Sequence, residues 1–145
     1  MPVRAVGFNH VAFEVDDLDA ALEWYGRFFE LRLRGRQRSM AFIDLGDQFL
    51  ALSQGRSGGA DADRHVGLVV DDKEALRAEL AAAGEPVAAS GALRVRDPSG
   101  NQLEIVDYRD IQFTKAPEVL RGMGLDGLDK HDAARAELAA KGMGA

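Results

Sequence analysis

The chain has no cysteine among its 145 residues, which excludes disulfides, thiolate metal sites and cysteine nucleophiles. Any metal would have to be held by His, Asp, Glu, carbonyl oxygen or water. Histidine is scarce as well, with three in all. No apolar run approaches the roughly 20 residues that a bilayer span requires. The N-terminus carries no basic-then-apolar signal, so the chain reads as cytoplasmic, with no membrane partner. Basic residues are scattered rather than clustered, and 24 acids against 18 bases give a net charge of −6. A surface of that sign offers nothing for a phosphate backbone, so nucleic acid is not an expected partner. What remains is ordinary for a globular protein, with 46% apolar and 29% charged residues. The length suits one domain whose core needs no covalent staples.

The most informative feature is an internal repeat. Asn9-His10-Val11-Ala12-Phe13-Glu14-Val15-Asp16-Asp17 returns as Arg64-His65-Val66-Gly67-Leu68-Val69-Val70-Asp71-Asp72. Each copy places a histidine at the head of an alternating apolar run that ends in Val-Asp-Asp. In a strand over Val6 to Val15, Phe8, His10, Ala12 and Glu14 share one face, and Val11, Phe13 and Val15 share the other. Asp16 or Asp17 is placed to cap a helix from Leu18 to Phe29, whose Leu18, Ala21, Leu22 and Tyr25 recur at helical spacing. That helix covers the Val11/Phe13/Val15 face and leaves the His10 face bare. Strands near Leu31–Arg36, Ala41–Leu45 and Gln48–Ser53 complete the copy, with Gly46-Asp47 as a hairpin turn.

A Gly-, Ser- and Asp-rich linker, residues 54–63, joins the copies. The second copy is expected to repeat the order: a strand from His65 to Val70, a helix capped by Asp71 or Asp72 and stopped by Gly84 and Pro86, and strands near Val87–Ala89, Leu93–Arg96 and Gln102–Tyr108. The turn Asp97-Pro98-Ser99-Gly100-Asn101 precedes the last strand. The fold class is therefore α+β: two βαβββ modules, residues 6–53 and 64–108, forming a U-shaped, partly open barrel. Residues 109–145 form a helical tail on the same domain, with one helix opening at Pro117 and a second over Lys130 to Lys141, capped by Asp129.

His10, His65 and Glu104 are the candidate ligands, since all three fall on the strand faces turned away from the helices. A carboxylate within Gln102-Leu103-Glu104-Ile105-Val106 is costly to bury unless something compensates it. Two imidazoles and a carboxylate suit Fe, Mn, Zn, Ni or Co in the divalent state, and leave positions open for a chelating substrate. The bland alternative makes each histidine a strand-end residue bonded to backbone, and Glu104 half of an ion pair. Arg94 alternates toward the same face and could meet an anionic substrate group. Glu14 shares the His10 face and is a candidate general base. Phe8, Trp24, Phe42 and Phe49 can serve as pocket wall or as core. His131, among Asp129, Lys130 and Asp132, reads as a solvated surface residue.

The duplicated unit, with His10, His65 and a Glu104 that follows Asp97-Pro98-Ser99-Gly100-Asn101, resembles the vicinal oxygen chelate superfamily over about residues 6–108. That group includes glyoxalase I, extradiol dioxygenases, fosfomycin resistance thiol transferases and bleomycin resistance proteins. The resemblance implies a homodimer with a metal at the base of a cavity, binding a small substrate through adjacent oxygens. It implies an enzyme, with lyase or isomerase, thiol transfer and dioxygenase chemistry all open; a metal-free drug-binding protein of the bleomycin resistance type is the alternative. Glyoxalase I generally adds a glutamate on the last strand of the first copy, where this chain has Leu50 or Ala51. The fosfomycin transferases match in length, but Ala12, Phe42 and Arg94 stand where they carry polar hydroxyl groups.

Overall fold

A computed structural model describes residues 2–144. The first copy forms β1 (His10–Val15), α1 (Leu18–Phe28), β2 (Leu33–Arg36), β3 (Met40–Asp44) and β4 (Phe49–Gln54). The second forms β5 (Val66–Val70), α2 (Lys73–Ala82), β6 (Leu93–Arg96) and β7 (Gln102–Asp107). A single 3-10 turn (Tyr108–Asp110) leads to α3 (Pro117–Gly122) and α4 (Asp132–Ala140). The strands make two open sheets, ordered β1-β4-β3-β2 and β5-β7-β6. In each, the histidine-bearing end of the copy supplies the edge strand, which runs parallel to its inner neighbour. The architecture is α+β, unclosed, with a helical tail, as the repeat implied.

Side-chain chemistry explains the boundaries. Asp17 and Asp72 cap the two helices by accepting from Ala20 N and Ala75 N, each satisfying a donor the first turn leaves orphaned. The apolar stripe of α1 (Leu18, Ala21, Leu22, Tyr25) and that of α2 (Leu76, Leu80) are buried in one cluster with Phe13, Val15, Ile43, Leu52, Leu93, Leu103 and Ile105. Leu52 and Leu80 are wholly inaccessible, and each such burial stabilises by about 1.5–3 kcal/mol. The helix-covered faces of both sheets feed this one core, so their other faces lie outward.

Three expectations are corrected. No strand forms at Val87–Ala89, so the second copy has three strands rather than four. The buried guanidinium of Arg77 takes Ala88 O at 2.6 Å and Gly91 O at 2.5 Å, and those carbonyls are held by a side chain instead of a ladder. β1 begins at His10, not Val6. Among the described residues it pairs with β4, which starts at Phe49 opposite His10, and Phe8 is left 81% exposed. The last helix starts at Asp132 after His131, because Asp129 spends its carboxylate on Lys130 N and on Arg135 rather than on the helix end.

A polar seam ties the copies together. Tyr25 of α1 donates its hydroxyl to Asp97 Oδ2 at 2.9 Å, and Trp24 Nε1 donates to Glu85 at 3.0 Å. Asn101 Nδ2 donates to Glu14 O and to Asp97 Oδ2, while its Oδ1 accepts from Arg56 at 2.5 Å. Burial works to raise the Asp61 carboxyl's pKa, but the Gln102 N–H and the Arg64 and Arg56 guanidinium groups outweigh it and hold it below the ordinary value. Gly100 adopts φ +88°, and a Cβ there would come within 2.7 Å of Ala60, so the linker and the Asp97–Asn101 turn meet at a glycine. The tail is fastened by Lys115, which bonds Leu45 O and Asp47, and by Lys130, which bonds Tyr108 O and Phe113 O.

Candidate metal centre

Strand register identifies equivalent positions in the two copies. Two residues after each histidine, Ala12 pairs with Ala51 and Gly67 pairs with Glu104. Ala51, rather than Leu50, is therefore the first-copy counterpart of Glu104. Alternation aims Glu104 at the open face of the second sheet, beside His65, Gly67 and Val69. The same rule aims His10, Ala12 and Glu14 at the open face of the first sheet, and their exposure agrees.

Among the expected ligands, the fold brings together His65 and Glu104. His65 Nε2 stands 3.3 Å from Glu104 Oε2, with the side chains 37% and 31% exposed. Glu104 is thus half-buried rather than sealed in the core. The His65 ring is oriented by its other nitrogen, since Nδ1 lies 2.8 Å from Asp63 O. A carbonyl can only accept, which assigns the ring proton to Nδ1. Nε2 then presents a lone pair to a carboxylate oxygen, an arrangement that asks for a cation or a further proton between them. His10 has the same outer support, Nδ1 lying 2.9 Å from Asn9 Oδ1; Asn9 is a residue the sequence reading passed over, although it adjoins the histidine.

His10 does not join the pair within one chain. Among the described residues, no three His, Asp or Glu side chains converge on one point. His10 stacks instead on Phe49, with centroids 4.6 Å apart and planes 7° apart, and Phe42 meets Phe49 edge-on at 5.8 Å. Both histidines border a cavity of about 630 Å³ whose other walls include Val11, Val69, Val106 and Leu128.

Arg94 is the register partner of Glu104 and places a guanidinium nitrogen 3.8 Å from its Oε2. Glu14 is exposed, four residues along β1 from His10, or roughly 13 Å at the usual rise. Sequence reasoning also missed Arg34, whose guanidinium carbon lies 4.6 Å from the Phe49 centroid. Its signal was the run Arg32-Leu33-Arg34-Gly35-Arg36, in which a glycine marks a strand irregularity. His131 sits at the surface with Nδ1 2.7 Å from Asp110, away from these residues. Trp24 is core, packed on Tyr25 and Phe28. Burial, then the negative charge and hydrogen bond of Asp97, push the Tyr25 hydroxyl far above the ordinary tyrosine range, so it is a structural donor and no acid.

The fold is shared with solved structures. A possible glyoxalase from Bacillus cereus superposes with a TM-score of 0.61 at 24% identity, over 70% of this chain and 99% of its own. Lactoylglutathione lyase from Agrobacterium tumefaciens gives 0.59 at 24% identity, over 72% of this chain and 95% of its own. The fosfomycin resistance protein FosX from Mesorhizobium loti gives 0.58 at 20% identity, over 70% and 91%. Residues 7–105, which include both repeat histidines and Glu104, match the family model for the glyoxalase/bleomycin resistance protein/dioxygenase superfamily, and the chain belongs to that superfamily.

Proposed function

We propose that this protein is a cytoplasmic, divalent-metal-dependent enzyme that acts on a small substrate chelating the metal through adjacent oxygens. His65 and Glu104 of one chain and His10 of a second copy would be the protein ligands. The observation that carries the reading is the approach of His65 Nε2 to Glu104 Oε2 at 3.3 Å, with Nδ1 committed to Asp63 O. Ligands about 2.1 Å from an ion and at right angles to one another stand roughly 3 Å apart, so the pair fits a metal. A carbonyl behind the ring nitrogen is the usual outer support of a metal-binding histidine. His10 carries the same support but lies on the other outward face, which favours completion of the site across a homodimer.

When bound, the ion supplies Lewis-acid stabilisation of the substrate's developing oxyanion. The chain's own residues do the rest. Asp63 O fixes the tautomer of His65, and Asn9 orients the His10 ring. Arg94, with a guanidinium nitrogen 3.8 Å from Glu104 Oε2, steadies that carboxylate. Glu14 serves as a base only for a substrate that extends along β1. The apolar cavity beside the histidines excludes water from one side of the site.

The test is metal analysis combined with subunit mixing. Protein purified without added metal is expected to hold a divalent ion, and Glu104→Ala is expected to weaken it by more than the roughly 10–100-fold typical of losing an outer-shell partner. Mixing His10→Ala with Glu104→Ala chains should restore one intact site per mixed dimer. Absence of metal from the wild type, or undiminished affinity in Glu104→Ala, would overturn the enzyme reading in favour of a metal-free binding protein. Failure of mixing to restore binding would overturn the shared site.

A further inference from the structure

The open face of the first sheet carries a guanidinium placed there by an irregularity in the strand. Leu33 pairs with Ile43 and Gly35 with Phe42, so β2 advances two residues while β3 advances one. Arg34 is the extra residue, and a bulge of this kind redirects a side chain from its regular face. Its guanidinium carbon lies over Phe49 at 4.6 Å, and Phe49 is in turn stacked on His10 at 4.6 Å. The guanidinium carbon and the imidazole centroid are therefore no further apart than twice that distance.

The neighbours of Arg34 are neutralised and it is not. Arg32 pairs with Glu30 at 3.3 Å and Arg36 with Asp19 at 2.5 Å. Arg94, on the other sheet, has Glu104. Among the described residues no carboxylate reaches Arg34. A guanidinium lying over a ring keeps N–H donors for other partners, in a fork that matches two oxygens of an anion. The net charge of −6 repels anions in general, so attraction at this point is local rather than a property of the surface.

We propose that Arg34 is the anion-binding residue of the site, and that the substrate carries a phosphoryl or carboxylate group besides its chelating oxygens. The placement rests on the reading of the His10 face as ligand-binding. Phe49 touches both Arg34 and His10 and has Phe42 edge-on beside it, so the anionic end of the ligand and the metal end meet one aromatic ring.

The experiment measures binding of phenylphosphonate, benzoate and neutral benzamide by calorimetry, in metal-free protein and with Mn(II) added. Wild type is expected to bind one of the two anions, which tells phosphoryl from carboxylate, and to bind benzamide more weakly. Arg34→Met should weaken anion binding about tenfold or more, the scale of one charge-assisted hydrogen bond. Arg34→Lys should fall between, and Arg32→Met should match wild type. Mn(II) affinity should be the same in all four proteins. Absence of anion binding by wild type, an Arg34→Met effect under about twofold, or an equal loss in Arg32→Met would overturn the proposal. Anion binding that depends on Arg34 in a protein that takes up no Mn(II) would uphold Arg34 and overturn the metal reading instead.

Discussion

Replacing Tyr25 by phenylalanine removes one hydroxyl from the seam between the copies and leaves the ring in place. The hydroxyl is buried and donates to Asp97 Oδ2 at 2.9 Å. Asp97 keeps three other donors: Ser99 N at 3.0 Å, Asn101 N at 2.9 Å and Asn101 Nδ2 at 2.8 Å. The carboxylate would thus lose one of four bonds without being abandoned. A hydrogen bond to a charged group contributes about 1.5–3 kcal/mol, and the remaining donors place the expected loss near the lower end, at about 2 kcal/mol. In a chain of this size that corresponds to a fall in Tm of roughly 4–8 °C. Urea unfolding followed through Trp24, which packs edge-on against Tyr25 at 5.0 Å, reports on the same junction. The matching cycle with Asp97→Asn should show coupling of about 0.5–3 kcal/mol. A loss below about 0.5 kcal/mol, or additive single variants, would mean that the seam is held by apolar packing and that its hydrogen bonds are incidental.

Acid should loosen the linker before it unfolds the core. Asp61 has a pKa below its ordinary 3.8, so its contribution to stability is fully present above that value and is lost as pH falls through the lower folded pKa. Asp61→Asn should lower stability near neutrality and flatten its pH dependence in that acid window; an unaltered acid limb would count against the assignment. Arg77→Met keeps the apolar stem but abandons Ala88 O and Gly91 O. It should cost about 1–2 kcal/mol and speed amide exchange in residues 85–92, and unchanged exchange there would show that the segment holds itself.

Much of this architecture could be read from local chemistry. The two Asp caps, the alternation through Phe13 and Val15, the stripe of α1 and the Asp97–Asn101 turn are each decided within a few residues of sequence. The misses needed long-range information. Val87-Ala89 looked like a strand, but Arg77, ten residues before Val87, holds the Ala88 carbonyl inside it and the Gly91 carbonyl just after it. The segment before His10 alternates well but faces no partner strand. Arg34 follows the period of two until the register shift at Gly35 turns it. Alternation also told which face His10 and His65 occupy, yet not how the two sheets turn their faces. Pairing of His65 with Glu104 was therefore legible in the repeat, and the separation of His10 from them was not.

The linker has a further consequence. Arg56 lies on one side of the exposed Gly58-Gly59 pair and Asp61 on the other, and both are fixed to Asn101 or Gln102 of the second copy. Tyr25 and Asp97 bridge the copies as well, and Asn101 links that bridge to Arg56. Covalent continuity through the two glycines thus duplicates a connection already made by side chains. The two halves are joined by side chains on both sides of the thread as well as by the thread itself.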